Sequence, residues 1–321
     1  MKLRYDETHF HLGRMSDGRN IHVPLVSEEE GTRWFGKVCC PCHGIYDLYE
    51  REAVASTLAS LVSFPVPRIE IVDLPTDIVN FGELKRAICQ LPKKDEGLKS
   101  VDWKNKDRTY NTWLDPIKEL EDGNSSFWNK MVIVEWIDGA ATIRNRPNGL
   151  QEIKNLPALV QGLVFNLWFG NHDGNMSLNV IVGKDGLGCF VDFGYAGPGI
   201  KDDLHKNVNG ESFDDFGKIG TNAKYYEKLL PRQLLDCLRY KTDEMPAIFE
   251  LIVKAIGQLS DETIEDIIQQ GGYNFYFPNS NDRMTTEFMQ ELCRRKNLLT
   301  EKINAYCEQH KTGKHYTLTS A

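Results

Sequence analysis

Two periodicities divide the chain. From residue 1 to about residue 90, short apolar runs alternate with polar turns. From about residue 140 onward, apolar positions recur at spacings of three and four. Residues 23–26, the polar turn at 27–31 and residues 33–40 predict a strand pair. Residues 48–62 predict a helix, ended by Ser63-Phe64-Pro65-Val66-Pro67 because proline cannot continue it. Residues 68–72 and 127–137 have the apolar, β-branched character of strands, and Asp138-Gly139 predicts a turn. Residues 91–126 are mostly polar with mixed charge and read as an insertion or surface excursion.

Residues 156–169 are apolar nearly all round, which predicts a helix buried on every side. Helical spacing continues at 223–240, 243–258, 260–270 and 284–310, with Ser260 as an N-cap ahead of Asp261 and Glu262. The expected class is α+β: a small strand-rich N-lobe over 1–137 and a larger helical C-lobe over 138–321.

Composition narrows the class of function. With 41% hydrophobic and 26% charged residues the chain reads as globular. No apolar stretch reaches the length of a membrane span, and residues 1–14 carry no secretory pattern, so a cytoplasmic protein is expected, with export into a host cell as the alternative. The net charge of −8 argues against nucleic acid as a partner. Five of the eight cysteines stand singly among apolar or helical residues, so no disulfide framework is expected. Cys39-Cys40-Pro41-Cys42-His43 offers zinc-type ligands, but no second Cys/His pair stands at zinc-finger spacing. A reduced cluster at a strand end is the preferred reading there. Tyr273, Phe275, Tyr276 and Phe277 form an aromatic turn, read as core packing ahead of substrate docking.

The chemistry concentrates in Leu167-Trp168-Phe169-Gly170-Asn171-His172-Asp173-Gly174-Asn175-Met176-Ser177-Leu178-Asn179 and in Cys189-Phe190-Val191-Asp192-Phe193-Gly194. Residues 178–182 and 189–193 are strand-like, and Asp185-Gly186 between them suits a type I′ turn, whose central residues both need positive φ. In that register Asn179 faces Asp192, with Asp173 in the loop just before. The flanking Gly183 and Gly188 leave room for a longer loop and a shifted register. A carboxylate and an amide oxygen beside a further acid suit a hard cation such as Mg²⁺. Upstream, Glu52 falls on the apolar stripe of Leu48, Ala55, Ala59 and Val62. A carboxylate there is costly unless paired, and Lys37 is the candidate partner; otherwise Glu52 lies at the stripe's edge and reaches solvent.

The succession Leu167, Trp168, Asn171, Asp173, Asn179 and Asp192 resembles the catalytic and metal-binding loops of protein-kinase-like folds. It is closest to HipA-like kinases and phosphatidylinositol 3-/4-kinases. The resemblance covers roughly residues 13–72 and 127–200. It implies a bilobal protein-kinase-like fold using ATP and Mg²⁺, with Asp173 as the catalytic acid and Asn179 and Asp192 as metal ligands. It further implies that Lys37 holds the nucleotide phosphates, that Glu52 holds Lys37, and that the turn containing Gly18 covers the phosphates. Glu135 and Ile137 fall where the hinge meets adenine through its backbone.

The chain departs from the family in two places. Gly174-Asn175 stands where the family has Arg-His, and six positions rather than five separate Asp173 from Asn179. The expected function is a HipA-like protein serine/threonine kinase with a protein substrate. The alternatives are a phosphatidylinositol kinase or nucleotidyltransferase on the same fold, and a nucleotide-binding pseudokinase acting as a binding module.

Overall fold

Strands whose central positions are apolar build the first of two compact units, which comprises residues 1–45 and 68–136. The computed structural model describes residues 1–6, 21–38, 47–73, 130–145, 152–171, 179–194, 196–199, 245–276 and 282–309. Strands β1 (Leu3–Tyr5), β2 (Ile21–Ser27), β3 (Arg33–Val38), β4 (Ile69–Asp73) and β5 (Lys130–Glu135) form an antiparallel sheet in the order β1-β2-β3-β5-β4. The four central positions of β5 are buried, as an inner strand of this sheet requires. Trp34, Leu25 and Val23 join Met131, Val132 and Ile133 in the apolar interior. The strand expected over 127–137 ends at Glu135, and residues 127–129 lie outside the described residues.

The second unit comprises residues 46–67 and 137–321. Helix α1 (Leu48–Leu61) belongs to it, although in sequence α1 lies between β3 and β4. The stripe of Leu48, Glu52, Ala55, Ala59 and Val62 is buried along its length. The helix stops ahead of Pro65, the first of the two prolines. Ser63 adopts φ 56°, its N–H reaches Ser60 O at 3.1 Å, and the Phe64 N–H reaches Ala59 O at 2.8 Å. This pair of backward bonds is a Schellman cap.

The helix expected over 156–169 is two pieces, α2 (Leu156–Val160) and α3 (Gly162–Phe169), interrupted at Gln161. The interruption falls where the chain runs beneath the Phe190 ring, because a Cβ on Gly162 would collide with that ring. Val164, Phe165, Leu167, Trp168 and Phe169 are buried, so the expected burial of this segment holds for most of α3. Phe165 stacks on Phe64 at 4.7 Å, and the Trp168 indole N–H donates to Leu292 O at 3.0 Å.

Helices α4 (Met245–Gly257), α5 (Asp261–Gln270) and α6 (Thr285–Gln309) complete the core. Ser260 caps α5 by accepting the Thr263 N–H at 3.1 Å. Phe275 is buried and stacks on Phe288 at 3.7 Å, so the aromatic turn packs inward at that position. The class is therefore mixed α and β with an antiparallel sheet. Among the described residues, no helix is long and apolar enough to cross a membrane.

A second, three-stranded antiparallel sheet joins β6 (Ala141–Thr142), β7 (Val180–Val182) and β8 (Gly188–Phe190). Its hairpin corrects the expected register. Val180 pairs with Phe190, Ile181 with Cys189 and Val182 with Gly188. Asn179 therefore faces Val191 rather than Asp192, and the Val191 N–H donates to Asn179 O at 2.9 Å. The cause is the turn. Gly183 N–H donates to Leu187 O at 3.0 Å and Gly186 N–H to Gly183 O at 3.1 Å, leaving a three-residue loop instead of two. Only Gly186, at φ 81°, takes the left-handed conformation, as in a type I turn closed by a glycine bulge.

Candidate functional site

The ends of α3 and β8 bring two loop roots together. Helix α3 ends at Gly170, whose φ of 82° is the left-handed cap that glycine adopts without steric cost. Asn171 comes next, fixed by its N–H to Asn166 O at 2.8 Å and by its side-chain amide to Asn166 Oδ1 at 3.1 Å. Asn171 then bridges Ala196, and the Gly197 N–H donates to Gly170 O at 3.2 Å. The root of the loop that carries Asp173 is thus stitched to the segment after Asp192. Asp173 itself lies outside the described residues, as do Gly18, the cluster from Cys39 to His43, the stretch 91–126 and the helical spacing at 223–240.

The segment from Val191 to Gly194 leaves the ladder abruptly. Asp192 has φ 70°, a left-handed conformation that costs most L-residues energy and that Asp tolerates better than most. It is half-buried. Strained backbone of this kind clusters at functional sites. Phe193 is buried with its ring edge-on to Phe165 at 6.0 Å, and the Ala196 N–H returns to Phe193 O at 3.0 Å. Gly194 meets α1: a Cβ there would lie 3.3 Å from Glu52 Oε2 and 3.5 Å from Leu48 O. The Glu52 carboxylate therefore packs against the residue two places after Asp192. Glu52 is only 1% exposed, which removes the solvent-reaching alternative.

Lys37 is buried on β3, in register with His22 on β2 and Val132 on β5. It belongs to the first unit and Glu52 to the second. The Glu135 N–H donates to Arg68 O at 2.9 Å. The Ile137 carbonyl accepts the Ala140 N–H at 3.0 Å in the Asp138-Gly139 turn. Asn179 is buried and Asp192 half-buried. A carboxylate and an amide are hard oxygen donors of the type Mg²⁺ takes. Among the described residues no group of three or more His, Cys, Asp and Glu gathers as a self-sufficient metal cage.

Two residues of this site escape detection in the sequence. Arg51 and Asp47, one turn apart at the start of α1, are both fully buried and form an ion pair at 2.9 Å. Arg51 Nη1 donates to Ala196 O at 3.0 Å and to Pro198 O at 2.9 Å. Its guanidinium lies over the rings of Phe288 and Phe275, and Asp47 accepts the Tyr276 N–H at 3.1 Å. The available signal is an Asp and an Arg four apart beside Glu52. That spacing is common on exposed helix faces and does not announce burial.

No family model, curated protein or solved structure matches the chain.

Proposed function

We propose that the chain is an ATP- and Mg²⁺-dependent phosphotransferase of the HipA-like kind, acting on a serine or threonine hydroxyl of a protein. The observation that supports it best is the Asn171–Ala196 bridge. It joins the root of the Asp173 loop to the segment after Asp192, beside a hairpin that begins at Asn179. A phosphoryl-transfer site needs these elements in one place: an acid for the attacking hydroxyl, and oxygen ligands for a metal that holds the phosphates.

In this reading Asp173 orients and deprotonates the attacking hydroxyl. Asn179 and Asp192 hold the metal. If held there, Mg²⁺ would supply positive charge to offset the charge that develops on the phosphate oxygens. The kinase resemblance assigns Lys37 and the turn with Gly18 to the nucleotide phosphates, Glu52 to the support of Lys37, and the backbone of Glu135 and Ile137 to adenine.

Intact-mass spectrometry after incubation with ATP and Mg²⁺ tests the proposal, with a candidate protein acceptor included. Addition of about 80 Da per modified site, on the chain or on the acceptor, is the expected result. Addition of a whole nucleotide would move the reaction to nucleotidyl transfer. A chain that binds ATP but modifies nothing would be a binding module.

A further inference from the structure

We infer that Arg51 is a positioning residue for the metal-binding segment, fixing Asp192 from helix α1. This rests on the kinase reading proposed above. Asp192 leaves the β7–β8 ladder through its left-handed turn, so strand pairing no longer fixes the chain beyond it. The chain is caught again at Ala196 and Pro198, whose carbonyls both accept from Arg51 Nη1. Gly197 between them lies so close that a Cβ would sit 3.0 Å from Nη1 and 2.8 Å from the Phe288 ring. Arg51 precedes Glu52 directly, and Glu52 meets Gly194. One turn of α1 therefore holds the Asp192 segment at two points, Gly194 and Ala196–Pro198.

Stability is a poor explanation for this arrangement. A buried ion pair is often no more stabilising than an apolar pair of the same volume, and its best-attested use is to specify one arrangement among several. Here the specified arrangement is the placement of Gly194 and of Ala196–Pro198 after Asp192. Asp47 completes the strut: its carboxylate holds the guanidinium and takes the Tyr276 N–H, which ties the base of α1 to the chain segment before α6.

The experiment compares wild type with Asp47→Leu/Arg51→Met, which replaces the pair by apolar volume, and with Arg51→Lys, which keeps the charge but loses the forked donor. Three quantities are read in the full-length chain: thermal midpoint, hydrogen exchange of the peptide spanning 189–199, and Mn²⁺ binding in the presence of a non-hydrolysable ATP analogue, monitored by electron paramagnetic resonance. The double variant is expected to melt within a few degrees of wild type. Exchange across 189–199 should quicken about tenfold, and the Mn²⁺ Kd should rise about 10- to 100-fold, the range seen when groups behind metal ligands are removed. Arg51→Lys should fall between.

A folded double variant with wild-type exchange and wild-type Mn²⁺ affinity overturns the inference. If the double variant does not fold, Arg51→Lys decides by the same two readouts. Faster exchange without weaker Mn²⁺ binding also overturns it, because the strut would then be structural only. A wild-type chain that neither binds Mn²⁺ nor transfers phosphate sinks the kinase reading, and this inference with it.

Discussion

Asp192 is where conformation and proposed chemistry meet, and the two separate in a series of three substitutions. The residue sits at φ 70°. A left-handed conformation costs an L-residue with a Cβ about 1–2 kcal/mol. Glycine escapes that cost but loses about 0.5–1 kcal/mol through its greater freedom in the unfolded chain. Asp192→Ala and Asp192→Gly remove the same carboxylate, so their difference isolates the backbone. The glycine variant should be the more stable of the two by roughly 0.5–1 kcal/mol, a shift in Tm of about 1 °C for a chain of this size. Asp192→Asn keeps the shape and tolerates φ > 0, so its Tm should lie near that of wild type.

Turnover should obey a different order. Loss of a metal ligand forfeits several kcal/mol of charge stabilisation in the transition state, which is about a thousandfold or more in rate. Ala and Gly should therefore be equally inactive. Differential scanning fluorimetry and Mg²⁺-dependent ATP turnover on the same preparations make the comparison. An alanine variant as stable as the glycine variant would mean that Asp192 does not hold the left-handed conformation in solution. Wild-type turnover in either would take Asp192 out of the site.

Three further outcomes are expected. Asn179→Ala should weaken Mg²⁺-dependent turnover far more than Asn175→Ala; the reverse order in steady-state kinetics would move the amide ligand into the loop. Ser63→Gly should raise stability by about 0.5 kcal/mol, because Ser63 is an exposed residue at φ 56° in the Schellman cap of α1, and an unchanged urea midpoint would refute that cost. Burial, reinforced by the nearby Asp185, pushes the Cys189 thiol up to about 12, so only about one part in 10⁴ is thiolate at pH 8. Peptide mapping after iodoacetamide should find Cys189 unmodified in the native chain and modified in denaturant, and native labelling would show that the β7–β8 hairpin opens.

What the sequence reveals here tracks how local the cause is. Strands β2 and β3, helix α1 and the Ser260 cap arise from apolar spacing and from side chains that serve backbone groups within three residues. The burial of Glu52 was only half legible: its stripe neighbours are all apolar, but a carboxylate at the stripe's edge could equally have reached solvent. Arg51 was not, since its partners Ala196, Pro198 and Phe288 lie more than a hundred positions away. The close approach at Gly162 was hidden for the same reason: the ring that crowds it comes from β8. Turn type was a subtler failure. Asp185-Gly186 serves a type I′ turn, where both residues need positive φ, and equally a type I turn with a glycine bulge, where only Gly186 does. The same dipeptide specifies two registers, and the difference is one residue.

That one residue changes what holds the proposed metal ligand. In the expected register Asp192 is a cross-strand partner of Asn179, and alternation along the ladder aims both side chains to one face. In the observed register Val191 takes that place, and an extended Asp192 would project to the opposite face. Asp192 is not extended, and its left-handed φ makes the direction of its carboxylate a property of the turn rather than of the sheet. A turn of that kind persists only where the surrounding structure over-determines it. Here the surroundings are specific: the Asn171–Ala196 bridge on one side, and on the other the Glu52 and Arg51 contacts to Gly194, Ala196 and Pro198. The placement of Asp192 therefore depends on α1 as much as on the hairpin that carries it. A substitution in α1 that leaves the hairpin intact should still reach the chemistry.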